Sequence, residues 1–295
     1  MSLEKVETCP ICQGVTFRPF LICKDFTTSH ELFHVEQCES CDFVFTSPRP
    51  SASSSAYYYQ SRDYISHAVS VKGLLDHIYL IVRYFTLNWK YRLVKPYLQD
   101  NTLLDVGCGT GSFLSTCRQS GLQVLGVEPS PQARAVVEKN KINVVATIND
   151  IADTDFDVIT LWHVLEHIYD LRRTIEQLKS RLRENGTIFI AVPNRQSPDA
   201  THYREIWAAY DVPRHLWHFS KKDMTLLIEH AGLKVIKIIP MKLDAYYVSL
   251  LSEKYRAPQK SAIHAALKAV WNGLRSNAKA ASTMNHSSLI YIVQK

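Results

Sequence analysis

The residues Gly107-Cys108-Gly109-Thr110-Gly111 follow the apolar run Leu103–Val106 and lead into Ser112–Ser120, which has helical spacing. A buried strand that passes through glycines into a helix turns tightly and lets a ligand lie against the peptide backbone. The next apolar run, Gln123–Val127, ends in Glu128, and an acid at that place accepts both hydroxyls of a ribose. The loop is no Walker loop, because Ser112-Phe113 stands where a Lys-Ser/Thr pair is required. Nor does its third glycine fall where a dinucleotide fingerprint places it. A nucleoside ligand other than these two is what the pattern calls for.

Two further groups carry chemistry. Cys9-Pro10-Ile11-Cys12 and Cys38-Glu39-Ser40-Cys41 are two knuckles separated by 25 residues. Four thiolates so spaced suit tetrahedral zinc, and four sulfurs close the coordination sphere, so the site is structural. Cys23 and His34 lie between the knuckles and read as ordinary side chains, with replacement of one cysteine ligand as the alternative, while Cys108 and Cys117 read as packing residues. The run Trp207–Ser220 gathers Tyr210, Asp211, Arg214, His215, Trp217 and His218, too aromatic for an exposed loop and too charged for a core. Here His215 or His218 is the candidate base and Arg214 the group for an anionic or carbonyl oxygen; an Asp211–Arg214 structural clamp is the alternative. His163, after the run Phe156–Trp162, is a further base candidate, and Glu166-His167 reads as a helix start.

These residues need a scaffold, and the periodicity supplies one. Apolar strands at Leu103–Val106, Gln123–Val127, Ile142–Ala146, Phe156–Trp162, Thr187–Val192, Lys234–Ile239 and Leu289–Val293 alternate with helices at Ser112–Ser120, Pro131–Asn140, Leu171–Arg183 and Lys221–Ala231. Such alternation means βαβ units and a mostly parallel sheet covered on both faces. Three regions are expected: a cysteine module over residues 1–50, a helical, aromatic-rich linker or lid over 51–98 (Tyr57, Tyr58, Tyr59 and Tyr64 among it), and the α/β domain over 99–295. That domain carries insertions near 195–219 and 241–286.

The glycine run resembles motif I of the class I S-adenosylmethionine-dependent methyltransferases, [VIL]-D-[VIL]-G-x-G-x-G. Phe156–His167, with its Leu-Glu-His ending, and the turn and strand Glu184–Asn194 resemble later motifs of that family, with Asn185-Gly186 in place of the commoner Pro-Gly or Gly-Gly. The resemblance covers about residues 100–240. It implies a Rossmann-like seven-stranded sheet of order 3-2-1-4-5-7-6 with the last strand antiparallel, and S-adenosylmethionine as cofactor. It places Asp105, Gly107, Cys108, Gly109 and Gly111 at the methionine end, Glu128 and Pro129 at the ribose, Ile148, Asn149 and Asp150 beside the adenine, and Leu161 and Trp162 closing the methionine side. A cysteine-knuckle module before such a domain also resembles a group of sugar C-methyltransferases. The implied activity is methyl transfer to a small or carrier-linked metabolite, a sugar among the candidates; a catalytically idle docking protein with the same fold is the alternative.

Composition sets the surroundings. The chain has 295 residues, 46% hydrophobic and 21% charged, which is ordinary globular usage and excludes disordered, collagen-like and coiled-coil classes. Net charge is +6, yet no acid follows Glu253, so residues 1–253 hold 27 basic against 28 acidic side chains. A near-neutral body with a basic tail does not point to nucleic acid. The N-terminal Met1–Cys9 lacks an apolar stretch of signal length, and the apolar region Leu74–Leu87 is interrupted by charge, so a reducing cytoplasm is expected, with the cysteines as thiols or metal ligands rather than disulfides. In the tail, Ile263, Leu267, Val270, Trp271 and Leu274 form one helical stripe with Lys260, Lys268, Arg275 and Lys279 around it. The stripe is expected to pack on the body; contact with an anionic membrane surface is the alternative.

Overall fold

The alternation of apolar runs and helices builds one seven-stranded sheet. The computed structural model describes residues 2–59, 74–152, 155–259 and 261–295. Ahead of the sheet come β1 (Leu3–Glu4), β2 (Phe17–Lys24), β3 (Leu32–Cys38), β4 (Val44–Thr46), β5 (Arg49–Pro50) and the helix α1 (Leu74–Val94). The units β6 (Thr102–Val106), α2 (Ser112–Gln119), β7 (Gln123–Val127), α3 (Pro131–Lys139), β8 (Asn143–Val145), β9 (Phe156–Trp162), α4 (Leu171–Ser180) and β10 (Leu182–Pro193) then alternate. They are followed by α5 (Pro198–Tyr203), β11 (Trp217–His218), α6 (Lys221–His230), β12 (Lys234–Pro240), α7 (Asp244–Arg256), α8 (Ala262–Ala280) and β13 (Ser288–Gln294).

The sheet runs β8-β7-β6-β9-β10-β13-β12. With β6 counted as first, this is the expected order 3-2-1-4-5-7-6, and β13 is antiparallel to both its neighbours. The inner strands β6, β9 and β10 are buried on both faces, which is why they read as continuous apolar runs rather than as alternation. Local signals start the helices. Ser130 Oγ accepts from Ala133 N–H at 3.3 Å with Pro131 in the first turn of α3, and Ser220 and Asp223 form a reciprocal cap on α6. Helix α4 ends at Ser180, short of the expected Arg183, because Leu182 already pairs with Phe156 in the sheet. The strand is then interrupted, and its register shifts before Thr187. A Cβ on Gly186 in that bulge would lie 2.8 Å from Leu182 Cδ1.

The cysteine module is tied to the sheet domain by a shared strand. Its sheet has the order β2-β3-β4-β11, and β11 comes from the segment after β10. Trp217 pairs with Phe45 and His218 with Val44. The apolar core is continuous across the join: Ile11, Phe43 and Phe45 belong to one cluster with Trp217, Phe219, Leu165 and the strands β9 and β10. Asp199 secures the insertions, accepting from Trp207 Nε1 at 2.8 Å, Ser276 Oγ at 2.7 Å and Ser287 Oγ at 2.7 Å.

The tail helix overturns one expectation. Helix α8 packs on α7 through Ala265, Ala269, Gly273, Ser276 and Ala280, whereas Ile263, Leu267, Trp271 and Leu274 stand 73%, 69%, 68% and 51% exposed. The reason is closeness of approach. A Cβ on Gly273 would lie 2.6 Å from Tyr246 Cδ1, so only the small-residue face fits against α7. Lys260 and Tyr64 lie outside the described residues.

Candidate active site

The glycine loop and Glu128 form a cradle at the carboxyl ends of β6 and β7. Gly107, Gly109 and Gly111 all adopt positive φ, at 68°, 54° and 74°. A Cβ at Gly107 would meet Val164 at 2.5 Å, but one at Gly109 would meet nothing within 4 Å, so the loop is open on that side. Glu128 Oε2 accepts from Gly109 N–H at 2.9 Å, and Oε1 accepts from Ser130 N–H at 2.8 Å. The carboxylate is thus fixed against the loop with lone pairs left for further donors. Arg134 Nη1 donates to the carbonyls of Glu128 and Pro129 at 2.7 and 2.8 Å and so holds the strand end. Cys108 packs towards Gly126, where a Cβ would come 2.7 Å from its sulfur.

Near the carboxyl end of β6, Asp105 is buried and accepts from Thr160 Oγ1 at 2.6 Å. Burial raises its pKa to about 7, the Glu128 charge adds to this, and the Thr160 hydroxyl and the Lys90 ammonium oppose it. Lys90, from α1, places its ammonium 4.3 Å from the ring centroid of Trp162. Trp162 also meets Phe113 edge-on at 5.5 Å, and its Nε1 is buried without an acceptor among the described residues. Leu161 is fully buried beneath, in the core rather than at the surface of the cradle. In the turn after β8, Ile148 is partly buried, Asp150 caps its own turn by accepting from Thr147 N–H at 2.9 Å, and Asn149 Oδ1 accepts from Gln177 at 2.6 Å. An open glycine, a pre-set carboxylate and an unpartnered indole N–H fit a nucleoside cofactor with a polar tail.

Beside the cradle lies a cluster of histidines and carboxylates. His163 sits at positive φ (57°) immediately after β9, its Nε2 3.1 Å from Asp244 Oδ2 and its Nδ1 3.4 Å from Glu166 Oε1. Burial disfavours the cation, but the carboxylates of Asp244 and Glu166 outweigh it and raise His163 to about 9. His167 is driven the other way, to about 4, by burial and by the neighbouring His215. Its Nδ1 lies 3.0 Å from the Arg214 carbonyl and 3.1 Å from Tyr59 Oη. His215 Nδ1 lies 2.8 Å from the Ala209 carbonyl, and its ring meets that of His167 at 4.6 Å. The other candidates in this run are engaged elsewhere. His218 is buried in β11 with Nε2 3.0 Å from Thr46 Oγ1, and burial holds its pKa well below the usual value. Arg214 is buried and donates to Asp211 at 2.6 and 3.0 Å, to Asp25 at 3.0 Å and to the Tyr58 carbonyl at 3.0 Å, which is the clamp arrangement. Tyr58 belongs to the cysteine-module side, packing edge-on against Phe33 at 5.8 Å. Glu166, His167, Asp244 and Lys90 are the site members that sequence reasoning missed. Only the Glu166-His167 pair left a signal there, and it read as a helix start.

The second centre is the cysteine cluster. The sulfurs of Cys9, Cys12, Cys38 and Cys41 all lie within 4.8 Å of one another, with Cys9–Cys41 at 3.6 Å and Cys12–Cys38 at 3.5 Å. Tetrahedral zinc at about 2.3 Å from each sulfur requires separations of roughly 3.8 Å, so the four residues fit the ion. Burial pushes the Cys9 thiol up to about 12, a cost that a bound cation removes by holding the thiolate. Cys23 is buried in β2 and His34 exposed on β3, both outside the cluster.

Sheet order, glycine cradle and the acid at the end of β7 together define the architecture of a class I S-adenosylmethionine-dependent methyltransferase. Residues 82–238, just over half of the chain, match the model of a family described as a methyltransferase domain, and the chain belongs to that family. It is similar to the ubiquinone biosynthesis O-methyltransferase of Pelagibacter ubique (strain HTCC1062), 26% identical over 220 residues that span 65% of this chain and 85% of that one. A protein of the same description from Glaesserella parasuis serovar 5 (strain SH0165) is 32% identical over 120 residues. That match spans 34% of this chain and about half, 51%, of the relative. The fold is also that of magnesium protoporphyrin IX methyltransferase from Synechocystis PCC 6803, solved with bound S-adenosylhomocysteine, at a TM-score of 0.52 and 11% identity over 81% of this chain and 97% of that one. No helix among the described residues is long and apolar enough to cross a membrane.

Proposed function

We propose that this chain transfers the methyl group of S-adenosylmethionine to a hydroxyl oxygen of a small or carrier-linked metabolite. The observation that carries the reading is the Glu128 carboxylate held by Gly109 N–H and Ser130 N–H against a glycine loop open at Gly109. The cofactor supplies an activated methyl on a sulfonium. Glu128 would accept the two ribose hydroxyls, Gly107–Gly111 would cradle the nucleoside, and Asp105, Lys90 and Trp162 would hold the methionine end. Ile148 packs beside the adenine, with Asn149 and Asp150 holding that turn. An intact cradle of this kind speaks against the idle docking alternative.

The acceptor approaches at the ends of β6 and β9, where ligands bind in open α/β sheets. Displacement at the methyl needs alignment first and removal of one acceptor proton second. His163 is held as a cation by Asp244 and Glu166, so at neutral pH it stabilises negative charge on the acceptor rather than taking its proton. His215, the remaining partly buried imidazole of the 207–220 run, is the group placed to relay that proton. His218 and Arg214 act one step back, fixing the segment that presents His215. A hydroxyl acceptor, rather than the sugar carbon that the cysteine module suggests, is favoured by the O-methyltransferase relatives.

The test is a screen of hydroxylated acceptors, phenolic and sugar-linked, with isotopically labelled donor. Label in an ether product that is absent with Glu128→Ala supports the reading. Label on carbon would replace it, and no transfer to any acceptor despite firm cofactor binding would return the idle alternative.

A further inference from the structure

We propose that Glu166, His167 and His215 form a second metal site, distinct from the cysteine centre, that takes a divalent first-row cation. One donor atom from each of the three lies within 4.8 Å of the others. Both Glu166 oxygens are buried and make no hydrogen bond among the described residues, with the His163 Nδ1 ion-pair contact at 3.4 Å from Oε1, although a buried carboxylate ordinarily acquires several. Both imidazoles are oriented from behind. The Nδ1 of His167 faces the Arg214 carbonyl at 3.0 Å and that of His215 faces the Ala209 carbonyl at 2.8 Å, which leaves each Nε2 for a ligand. Anchoring one ring nitrogen on a backbone carbonyl while the other binds is the usual outer-shell arrangement of metal-ligating histidine. Two imidazoles and a carboxylate suit zinc, manganese, iron or cobalt in the divalent state, with coordination positions left open.

The role assigned to this site rests on the methyl-transfer reading, with His215 then serving as metal ligand in place of proton relay; the binding does not. An acceptor hydroxyl filling an open position would lose its proton to water as it binds. Its oxygen would then form the bond to the methyl carbon while the carbon–sulfur bond breaks, and the sulfonium leaves as neutral thioether.

The experiment counts metal on the full chain, purified without chelator, saturated with zinc or with cobalt and freed of excess ion. Two equivalents per chain are expected, one of them lost in Glu166→Gln and in His215→Ala. Cobalt in the second site should add absorption without thiolate charge-transfer bands, a readout that needs no variant to fold. S-adenosylhomocysteine affinity, measured in parallel, should stay within about threefold of wild type. A single equivalent at saturation overturns the proposal, as does a second equivalent that both variants retain. Loss of S-adenosylhomocysteine binding by the wild type would instead overturn the functional reading and leave the metal count standing.

A separate observation carries a second inference. We infer that the outer face of α8 lies on an anionic lipid surface. Ile263, Leu267, Val270, Trp271 and Leu274 form a continuous exposed stripe, and Lys268, Arg275 and Lys279 are exposed on the same helix. No acidic residue follows Glu253, so the charge beside the stripe is of one sign and complements anionic headgroups. A stripe of this size is costly to leave in water. Flotation should recover the protein with vesicles containing phosphatidylglycerol, much less with phosphatidylcholine alone, and salt should weaken the binding. Leu267→Glu with Trp271→Glu should reduce recovery at least tenfold. Absence from the anionic vesicles overturns the inference, as does a dimer in sedimentation that the same pair of substitutions dissociates.

Discussion

Replacing Glu128 separates its charge from its shape. The carboxylate takes two backbone N–H groups, from Gly109 at 2.9 Å and Ser130 at 2.8 Å, and on the proposed reading it would take two ribose hydroxyls as well. Glu128→Gln keeps the volume and one carbonyl oxygen but loses the charge and one acceptor. Hydrogen bonds to a charged group contribute about 1.5–3 kcal/mol each. Loss of one weakens S-adenosylhomocysteine binding by roughly 10- to 150-fold, at 1.4 kcal/mol per tenfold. Glu128→Ala loses both, about 3–6 kcal/mol, and also frees the Gly109 N–H, so the loss rises to roughly 10²–10⁴-fold. Calorimetric titration with S-adenosylhomocysteine gives the affinities directly. Ligand-dependent thermal shifts give an independent ranking, since a ligand of the native state alone stabilises by mass action. Wild-type affinity in Glu128→Gln would show that the acid does not hold the ribose, and the cofactor assignment would fall with it.

Other expectations follow from the same geometry. The protein should carry zinc on Cys9, Cys12, Cys38 and Cys41. Because Cys9, Cys38 and Cys41 lie in the same apolar cluster as β9 and β10, Cys38→Ser should lower the melting temperature of the whole chain; two separate transitions in the melt would contradict this. Arg214→Ala leaves Asp25 and Asp211 without their buried partner and should cost about 3–5 kcal/mol in denaturant unfolding, with a cost under 1 kcal/mol counting against the clamp. Asp105 titrates near 7 when folded against 3.8 as its ordinary value. A raised carboxylate favours folding while protonated, so its contribution is full below about pH 4 and is lost as pH rises to about 7. Asp105→Asn should therefore flatten the stability profile across that window, and an unchanged slope would refute the assignment.

The sheet was legible because its strands are apolar runs, and because β6 is closed by Gly107 and β7 by Glu128, which follows its strand without interruption. The cysteine centre was legible for a like reason: each knuckle is local. The histidine cluster was not. His163 meets Asp244 of α7, and His167 meets His215 of the 207–220 run, and no periodicity links those stretches. The segment 207–220 stood out by composition, but composition could not say that Arg214 and His218 face the cysteine module while His215 faces His167. Helix α8 shows a different limit. It has two apolar faces, one of small residues and one of large, and bulk drew the eye to the large one. Packing chose the small one, since only there does Tyr246 fit against Gly273.

The strand shared between β4 and β11 has a consequence for how the chain is made. Thr46 and His218, bonded across that join, are 172 positions apart. During synthesis the four cysteines emerge early, but the sheet behind them stays open on the β4 edge until residue 218 has been added. At 5–20 residues per second that wait is roughly 10–35 s. Throughout it the edge of β4 opposite β3 has no partner strand, and a bound metal ion adds to the β2–β3–β4 pairing in holding the knuckles together. The nascent module is therefore a client for chaperones or for early zinc loading, and starvation for zinc during translation should lower the yield of the catalytic half as well.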